Sequence, residues 1–421
     1  MEYASCYWGT HAKRETTESV KALSLKLLGG YDKYISSKML LLRGIPIWRR
    51  PCDPADRPTG FTGLHGAAYL GCVEITVALL EVNKWDVLAT DLNGNTELTW
   101  AAWNGHEGVV RILLEQNGAP PDSTNKYGQT PLYFAAENGH EGVVKILLER
   151  VDVNPNTQDK YGSTPLSRAA WNGHEGAVRI LLKQNDVNPN TSDEYGRTPL
   201  SRAAWNGHEG VVKMLLGRND AKPNIANFYG QTPLSFAAEN RHEGVVRTLL
   251  ERNDVNIDAA NKYCRTPLSR AAWNGHEGIV RLLLERSEAN LDTADEYGRT
   301  PLSFAAEYGH EGVVKVLLER DGVNPNTPDK TGRTPLWFAA ENRHEGSVRI
   351  LLKRNDIYLK TADKDGQTPL SRAKRNGDER IVDLLRAGRI SSSDMQLEFV
   401  TRPPGTRKRR GPGQIPCPGP M

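Results

Sequence analysis

The stretch NKYGQTPLYFAAENGHEGVVKILLERVDVNPNTQ, residues 125–158, decides the architecture, because the chain keeps returning to it. Thr-Pro followed by Leu recurs at Thr130, Thr164, Thr198, Thr232, Thr266, Thr300, Thr334 and Thr368, always 34 residues apart. The same step backwards meets degenerate copies at Thr96 (Thr-Glu-Leu) and Thr62 (Thr-Gly-Leu). Ten repeats therefore fill residues 57–387. A fixed period of this length is the mark of a solenoid, and it overrides the two or three globular domains of about 150 residues that length alone suggests.

Within the repeat, Thr130 and Pro131 read as the N-cap and first residue of a short helix. The hydroxyl accepts from an orphan N–H, and proline loses no hydrogen bond there. Leu132, Ala135 and Ala136 supply a face fit for close packing, and Asn138-Gly139 supplies a left-handed stop. Val143, Val144, Ile146, Leu147 and Leu148 give a second helix its apolar face. Asp152-Val153-Asn154-Pro155 ends it, and Lys126-Tyr127-Gly128 reads as the turn at the tip of an extended β-hairpin. One such repeat cannot bury its apolar face alone; stacking on neighbours does so.

The pattern resembles the ankyrin repeat: Thr-Pro-Leu-His, two alanines, Gly-His and an aliphatic second helix. It departs in two ways. The family's usual period is 33, which places the extra residue near Asn154-Pro155-Asn156. The histidine after leucine survives only as His65, so its hydrogen bonds must be made differently elsewhere. The resemblance implies an all-α ankyrin-repeat solenoid of helix-turn-helix plus β-hairpin units, stacked between distinct ends. Residues 1–56 hold two short amphipathic stretches, 17–28 and 31–42, that would form a helical cap. Tyr3 to Ala12 (Tyr-Ala-Ser-Cys-Tyr-Trp-Gly-Thr-His-Ala) resembles the junction between the nucleotide-binding module and the ankyrin array of fungal NACHT–ankyrin receptors. No G-x-x-x-x-G-K-S/T phosphate loop accompanies it, so the resemblance implies a sensor arm without its NTPase. Residues 388–421, rich in Pro, Gly and Arg, read as a disordered basic tail.

Composition narrows the rest. Mean hydropathy is −0.56, and nothing approaches the roughly 20 apolar residues a membrane helix needs. The first residues lack the apolar core of a secretory signal. Five scattered cysteines share no spacing, so neither a disulfide framework nor a zinc site is indicated. The net charge of +3 is uneven: residues 386–421 hold seven basic and two acidic side chains, leaving the body at −2. A nearly neutral body argues against a nucleic-acid surface.

Eight histidines, each followed by Glu-Gly, recur at His106, His140, His174, His208, His242, His276, His310 and His344. Neighbouring helices pack about 8–10 Å apart, whereas zinc needs its nitrogens about 2 Å away, so histidines spaced one per repeat do not share an ion. They are expected to bond between repeat turns. No G-x-S-x-G or unrepeated acid–base constellation occurs, and an active site needs one. The expectation is no catalysis, no cofactor, no metal and no small-molecule substrate.

The informative positions are those the fold does not require. In ankyrin proteins the residues four and seven after the repeat threonine, and those four, three and one before it, line the concave face where partners bind. Here the turn row reads Tyr127, Tyr161, Tyr195, Tyr229, Tyr263 and Tyr297. The helix row alternates between Arg168/Trp171, Arg202/Trp205, Arg270/Trp273 and Phe134/Glu137, Phe236/Glu239, Phe304/Glu307, Phe338/Glu341, with Trp100/Trp103 near the start. With Phe228, these positions collect 16 of the 30 aromatic residues. Tyr, Trp and Arg are the usual hot-spot types, which points to a protein partner bound by a cytoplasmic monomer. Two other readings stay open: cation–π pairs and an Arg-to-Glu ladder that only stiffen the stack, or recent duplication of repeats. Arg407-Lys408-Arg409-Arg410 is a compact basic cluster suited to nuclear import.

Overall fold

The computed structural model describes residues 61–81, 89–116, 119–286 and 289–396. The expected N-terminal cap and the basic cluster at 407–410 lie outside them. Among the described residues all regular structure is helical: twenty helices and no strand. The chain groups into two compact units, Met1–Ala203 with Gly210–Lys222, and Ala204–Glu209 with Pro223–Met421.

Both units are built from the same pair of helices. Pro131–Glu137 and Glu141–Leu148 are one pair in the first unit; Pro233–Glu239 and Glu243–Leu250 are one in the second. Each first helix starts as its sequence dictates: Thr130 Oγ1 accepts from Tyr133 N at 3.1 Å, with proline behind it. Ala135 and Ala136 have no exposed surface, so successive first helices pack closely. Second helices pack on second helices through Val143, Val144, Ile146, Leu147 and their equivalents.

The His-Glu-Gly signature is architectural. In seven repeats histidine Nε2 lies 2.8–3.0 Å from a first-helix carbonyl of the preceding repeat, as His140 does with Trp103 O and His276 with Glu239 O. The ring then covers the helix stop before it: a Cβ on Gly139 would stand 2.6 Å from His174 Nδ1. The glutamate does the same one step on, since the Glu107 carboxylate fills the space a Cβ on Gly142 would need. Where the stop is not glycine, strain is stored. Arg241 holds φ 64°, the left-handed region that costs a side-chain-bearing residue about 1–2 kcal/mol. Arg241→Gly is expected to raise the thermal midpoint by about 2–4 °C; a lower or unchanged midpoint would count against this account.

The connecting segments correct one expectation: they form turns and no β-ribbon. Asp159 Oδ1 accepts from Tyr161 N (2.9 Å) and Ser163 N (2.7 Å), closing the tip on itself. Adjacent tips then share one backbone bond, Lys160 N to Tyr127 O at 2.8 Å. With the backbone donors turned onto the carboxylate, no strand ladder remains to be made.

A second seam runs through the Asn-Pro-Asn loops. Asn190 Nδ2 donates to Asp220 O (2.8 Å) while its Oδ1 accepts from Lys222 N (2.9 Å), and Asn326 repeats this with Asp356 O and Tyr358 N. At the far end the helix Glu379–Gln396 runs nine residues beyond the boundary expected at 387, there being no proline before Pro403 to stop it.

Candidate functional site

The face carried by the first helices is organised by a stagger. The seventh residue after one threonine meets the fourth residue after the next. Tyr69 meets Trp100 edge-on at 5.7 Å, and Trp103 stacks on Phe134 at 4.6 Å. Glu137 pairs with Arg168 at 3.4 Å, and the Arg202 guanidinium lies over Trp171 at 5.4 Å. In the second unit Trp205 meets Phe236 at 4.8 Å, Glu239 pairs with Arg270, and Trp273 stacks on Phe304 at 5.0 Å. Glu341 reaches Arg372 at 3.8 Å. The exception is Glu307 against Phe338, where the glutamate turns back to Arg299 instead (3.2 Å). The alternation visible in the sequence is therefore a set of matched faces between repeats.

This stagger sorts the expected partner-binding residues. Phe134, Phe236, Phe304 and Phe338 are buried, as are Trp100 and Arg202. They correct the expectation that the helix row faces a partner: each phenylalanine is roofed by the preceding tryptophan or by an arginine, as Arg333 roofs Phe338 at 4.8 Å. Trp100 is enclosed by Phe61, Tyr69 and Trp103, and its Nε1 donates to Asp91 Oδ2 at 3.2 Å. Trp103, Trp171, Trp273, Arg168 and Arg270 are half-buried. The turn row is different. Tyr127, Tyr161, Tyr195, Tyr229, Tyr263 and Tyr297 keep 45–53% of their surface in water.

Arginines one residue before the threonine, which sequence reasoning did not single out, govern what remains open. Arg265 lies 4.3 Å over Trp273 and 5.5 Å over Tyr263; Arg299 covers Phe304 at 4.6 Å. Their charges are met by buried aspartates five residues before the threonine. Arg333 reaches Asp329 Oδ2 at 2.7 Å, and Arg299 reaches Asp295 Oδ2 at 3.1 Å. Burial alone would raise the pKa of Asp329, yet the hydrogen bonds from Arg333 and Thr331 outweigh it and hold the carboxyl below its usual range. The signal was available: Asp or Asn stands at this position in nine consecutive repeats.

The repeat of Thr232 carries Gln231 where the repeats of Thr198, Thr266, Thr300 and Thr334 carry arginine, and Gln231 Nε2 turns to Glu239 Oε2 at 3.0 Å. Trp205, which shares its stack with Phe236, is the one exposed tryptophan among the described residues, at 39%. On the turn just before the Phe236 helix stand Phe228, 61% exposed where the other Thr-Pro repeats have Lys or Glu, and Tyr229.

The second helices differ. They expose a basic residue in each repeat: Arg111, Lys145, Arg179 and Lys213 in the first unit, Arg247, Arg281, Lys315 and Arg349 in the second. Each stands four residues after the glutamate of the His-Glu-Gly signature, and Arg281–Glu277 closes at 2.7 Å. Alternating charge of this kind is a solvated surface.

The departure at His65 is also resolved. Its Nε2 lies 3.1 Å from Asn95 O of the next repeat, and burial lowers its pKa to about 4, so the ring is neutral. Trp337 makes the same reach with its indole N–H, to Gln367 O at 3.1 Å. Serine, as at Ser167, caps its own helix instead, accepting from Thr164 N at 3.1 Å. Among the described residues no three His, Cys, Asp or Glu side chains gather as a metal site, and no helix is long and apolar enough to cross a membrane.

The profile of the family described as Ankyrin repeats (3 copies) matches residues 38–125, 117–193, 152–227, 187–261, 253–329 and 321–394. Among solved structures, the chain is similar to the ankyrin repeat domain of Bcl-3, "a unique member of the IkappaB protein family". That likeness has 30% identity and a TM-score of 0.48, over 53% of this chain and 99% of that one. No curated protein matches the chain.

Proposed function

The chain belongs to the ankyrin-repeat family, and from that premise we propose that it is a non-catalytic, monomeric scaffold that grips a protein partner through the turn side of its repeats. Ankyrin repeats are typical protein–protein interaction modules. The observation that carries the reading is a contrast within each unit: half-exposed turn tyrosines, joined in the second unit by exposed Trp205 and Phe228, against second helices of alternating charge. Exposed aromatics that recur at one position of an otherwise charged repeat mark a contact surface. The energetic centre of this reading is Trp205, Phe228 and Tyr229, which keep 39%, 61% and 52% of their surface in water.

Affinity purification with mass spectrometry tests this, comparing the wild-type chain with Trp205→Ala/Phe228→Ser and with a second-helix control, Lys213→Ala/Arg247→Ala. The aromatic variant is expected to lose partners that the other two retain, since truncating a hot-spot residue weakens binding by about 2 kcal/mol or more, roughly 30-fold. Identical recovery from all three chains would end the proposal.

The likeness of Tyr3–Ala12 to a NACHT–ankyrin junction supports a narrower form, in which recognition serves a separate nucleotide-hydrolysing module. The cluster Arg407–Arg410 supports passage from cytoplasm to nucleus. Both segments lie outside the described residues.

A further inference from the structure

The Asn-Pro-Asn seam has a fixed chemistry wherever it is complete. Asn156, Asn190, Asn224 and Asn326 each accept, through Oδ1, the backbone N–H of the residue 32 positions on, at 2.7–2.9 Å. Each also donates, through Nδ2, to the carbonyl of the residue 30 positions on, at 2.6–2.8 Å. An amide serves both halves because it has a donor and an acceptor.

Asp122 in the first unit and Asp292 in the second occupy the same place in their repeats. Each keeps the accepting half. Asn324 N donates to Asp292 Oδ2 at 2.8 Å, and Asp122 takes the N–H of Asn154 together with the Thr157 hydroxyl (3.3 Å). Neither can make the donating half, because an ionised carboxylate only accepts. In both residues Oδ1 is buried and has no hydrogen-bond partner. By register, the oxygen it faces is the carbonyl of Asp152 or of Gly322, another acceptor.

We propose that Asp122 and Asp292 are proton-operated fasteners between repeats. As the neutral acid, each would turn its orphan Oδ1 into an O–H donor to the carbonyl 30 residues on, completing the seam as asparagine does. One proton is taken from solvent and no other bond changes.

The surroundings favour that proton. Burial raises the pKa of both carboxyls, and nearby Asp152 raises that of Asp122 further, although Arg150 partly neutralises Asp152 at 3.2 Å. The accepted N–H groups of Asn154 and Asn324, with the Thr157 hydroxyl, act in the opposite sense without prevailing. Among the described residues, ionisable side chains on segments adjoining Asp292 include Asp258 on the preceding loop, Arg286 in its own repeat, which donates to Leu250 O at 2.6 Å, and Arg320 and Asp321 on the following one. Asp258 differs from the pair, since both its oxygens share the Asn290 N–H at 3.2 and 3.0 Å.

The sign follows from linkage. A folded-state pKa raised above the unfolded one binds the proton in the native chain, so this contribution is present at low pH and is lost as pH rises through the folded value. The window therefore opens just above the ordinary carboxylate value of about 4.

Thermal unfolding of the full chain at pH 5 and pH 8 tests the inference with two reciprocal variants. Asp122→Asn/Asp292→Asn is expected to melt about 2–4 °C above wild type at pH 8, with the gap narrowing as pH falls to 5. Asn326→Asp, which installs the carboxylate where the amide now stands, is expected to melt below wild type at pH 8 and to recover at pH 5. A gap of equal size at both pH values, or none in either variant, would overturn the proposal. Carboxyl NMR titration of Asp292 is an independent check: a midpoint above the ordinary carboxylate value is expected, and one at or below it also overturns the proposal.

Discussion

An Asp193→Ala chain is expected to lose about 3–5 kcal/mol, the cost of leaving a buried charge without its partner. Asp193 is 1% exposed and does two jobs with its two oxygens. Oδ1 accepts from Tyr195 N (2.9 Å) and Arg197 N (2.8 Å), which closes the turn. Oδ2 receives Arg197 Nε at 2.8 Å and Arg202 Nη2 at 2.6 Å. Arg202 is 5% exposed, and its other polar contact is Ser163 Oγ at 2.9 Å, so alanine at 193 leaves a buried guanidinium without its counter-charge. Asp193→Asn separates the jobs. The amide keeps the turn closed, as Asn125, Asn227 and Asn261 do in their own repeats, while its Nδ2 cannot accept from Arg197 or Arg202, so the charge and both guanidinium bonds are lost. A smaller deficit of about 1–3 kcal/mol is expected. Urea titration followed by circular dichroism reads both numbers, and equal losses in the two variants would refute the division of labour. Burial by itself would raise the Asp193 pKa, but the N–H groups and the two guanidiniums outweigh it and hold the carboxyl below its usual range. This contribution to stability is therefore present at neutral pH and lost as pH falls through the depressed folded value.

The second large effect separates two rings in contact. Phe236 has no exposed surface, whereas Trp205, stacked 4.8 Å from it, keeps 39%. Phe236→Ala opens a cavity in a closely packed layer and is expected to cost about 3–5 kcal/mol. Trp205→Ala removes a ring only partly withdrawn from water and is expected to cost about 1–2 kcal/mol by the area it buries. Thermal melts of the two single variants check the ratio. If Trp205→Ala unfolds the chain as readily as Phe236→Ala, Trp205 is a core residue and the proposed contact surface loses its centre. Trp171 and Trp273 cannot serve as such probes, because arginines already lie over their faces.

The sequence made the repeat legible because its determinants are local. Thr-Pro caps, the Asn-Gly stops and the aliphatic second helices all act within a few residues, so their spacing reveals them. The histidines were legible too, since one per repeat is too sparse for a shared ion. What remained hidden depends on neighbours about 30 residues away. Phe134 and Tyr127 look alike as aromatic positions, but the first is closed off by Trp103 from the preceding repeat and the second stands on an exposed turn. The β-hairpin was expected from the turn Lys126-Tyr127-Gly128, and the Asp and Asn side chains that take up its backbone donors were visible yet unread. The Asn-Pro-Asn triplet was noticed as the place of the extra residue, but not as a seam.

The stagger of seventh onto fourth positions has a consequence for how such a gene changes. Because Trp103 is complementary to Phe134 and Glu239 to Arg270, the heritable module is not the stretch from one Thr-Pro to the next. Copying that stretch into a new place would set tryptophan against a residue chosen for glutamate at one of its borders. A stretch cut between the fourth and seventh positions carries both halves of every match with it, and can be inserted, deleted or duplicated without leaving an unmated face. Recombination that respects this cut lengthens or shortens the array without a new mismatch, while recombination at the threonine creates one of the kind that Glu307 and Phe338 already carry.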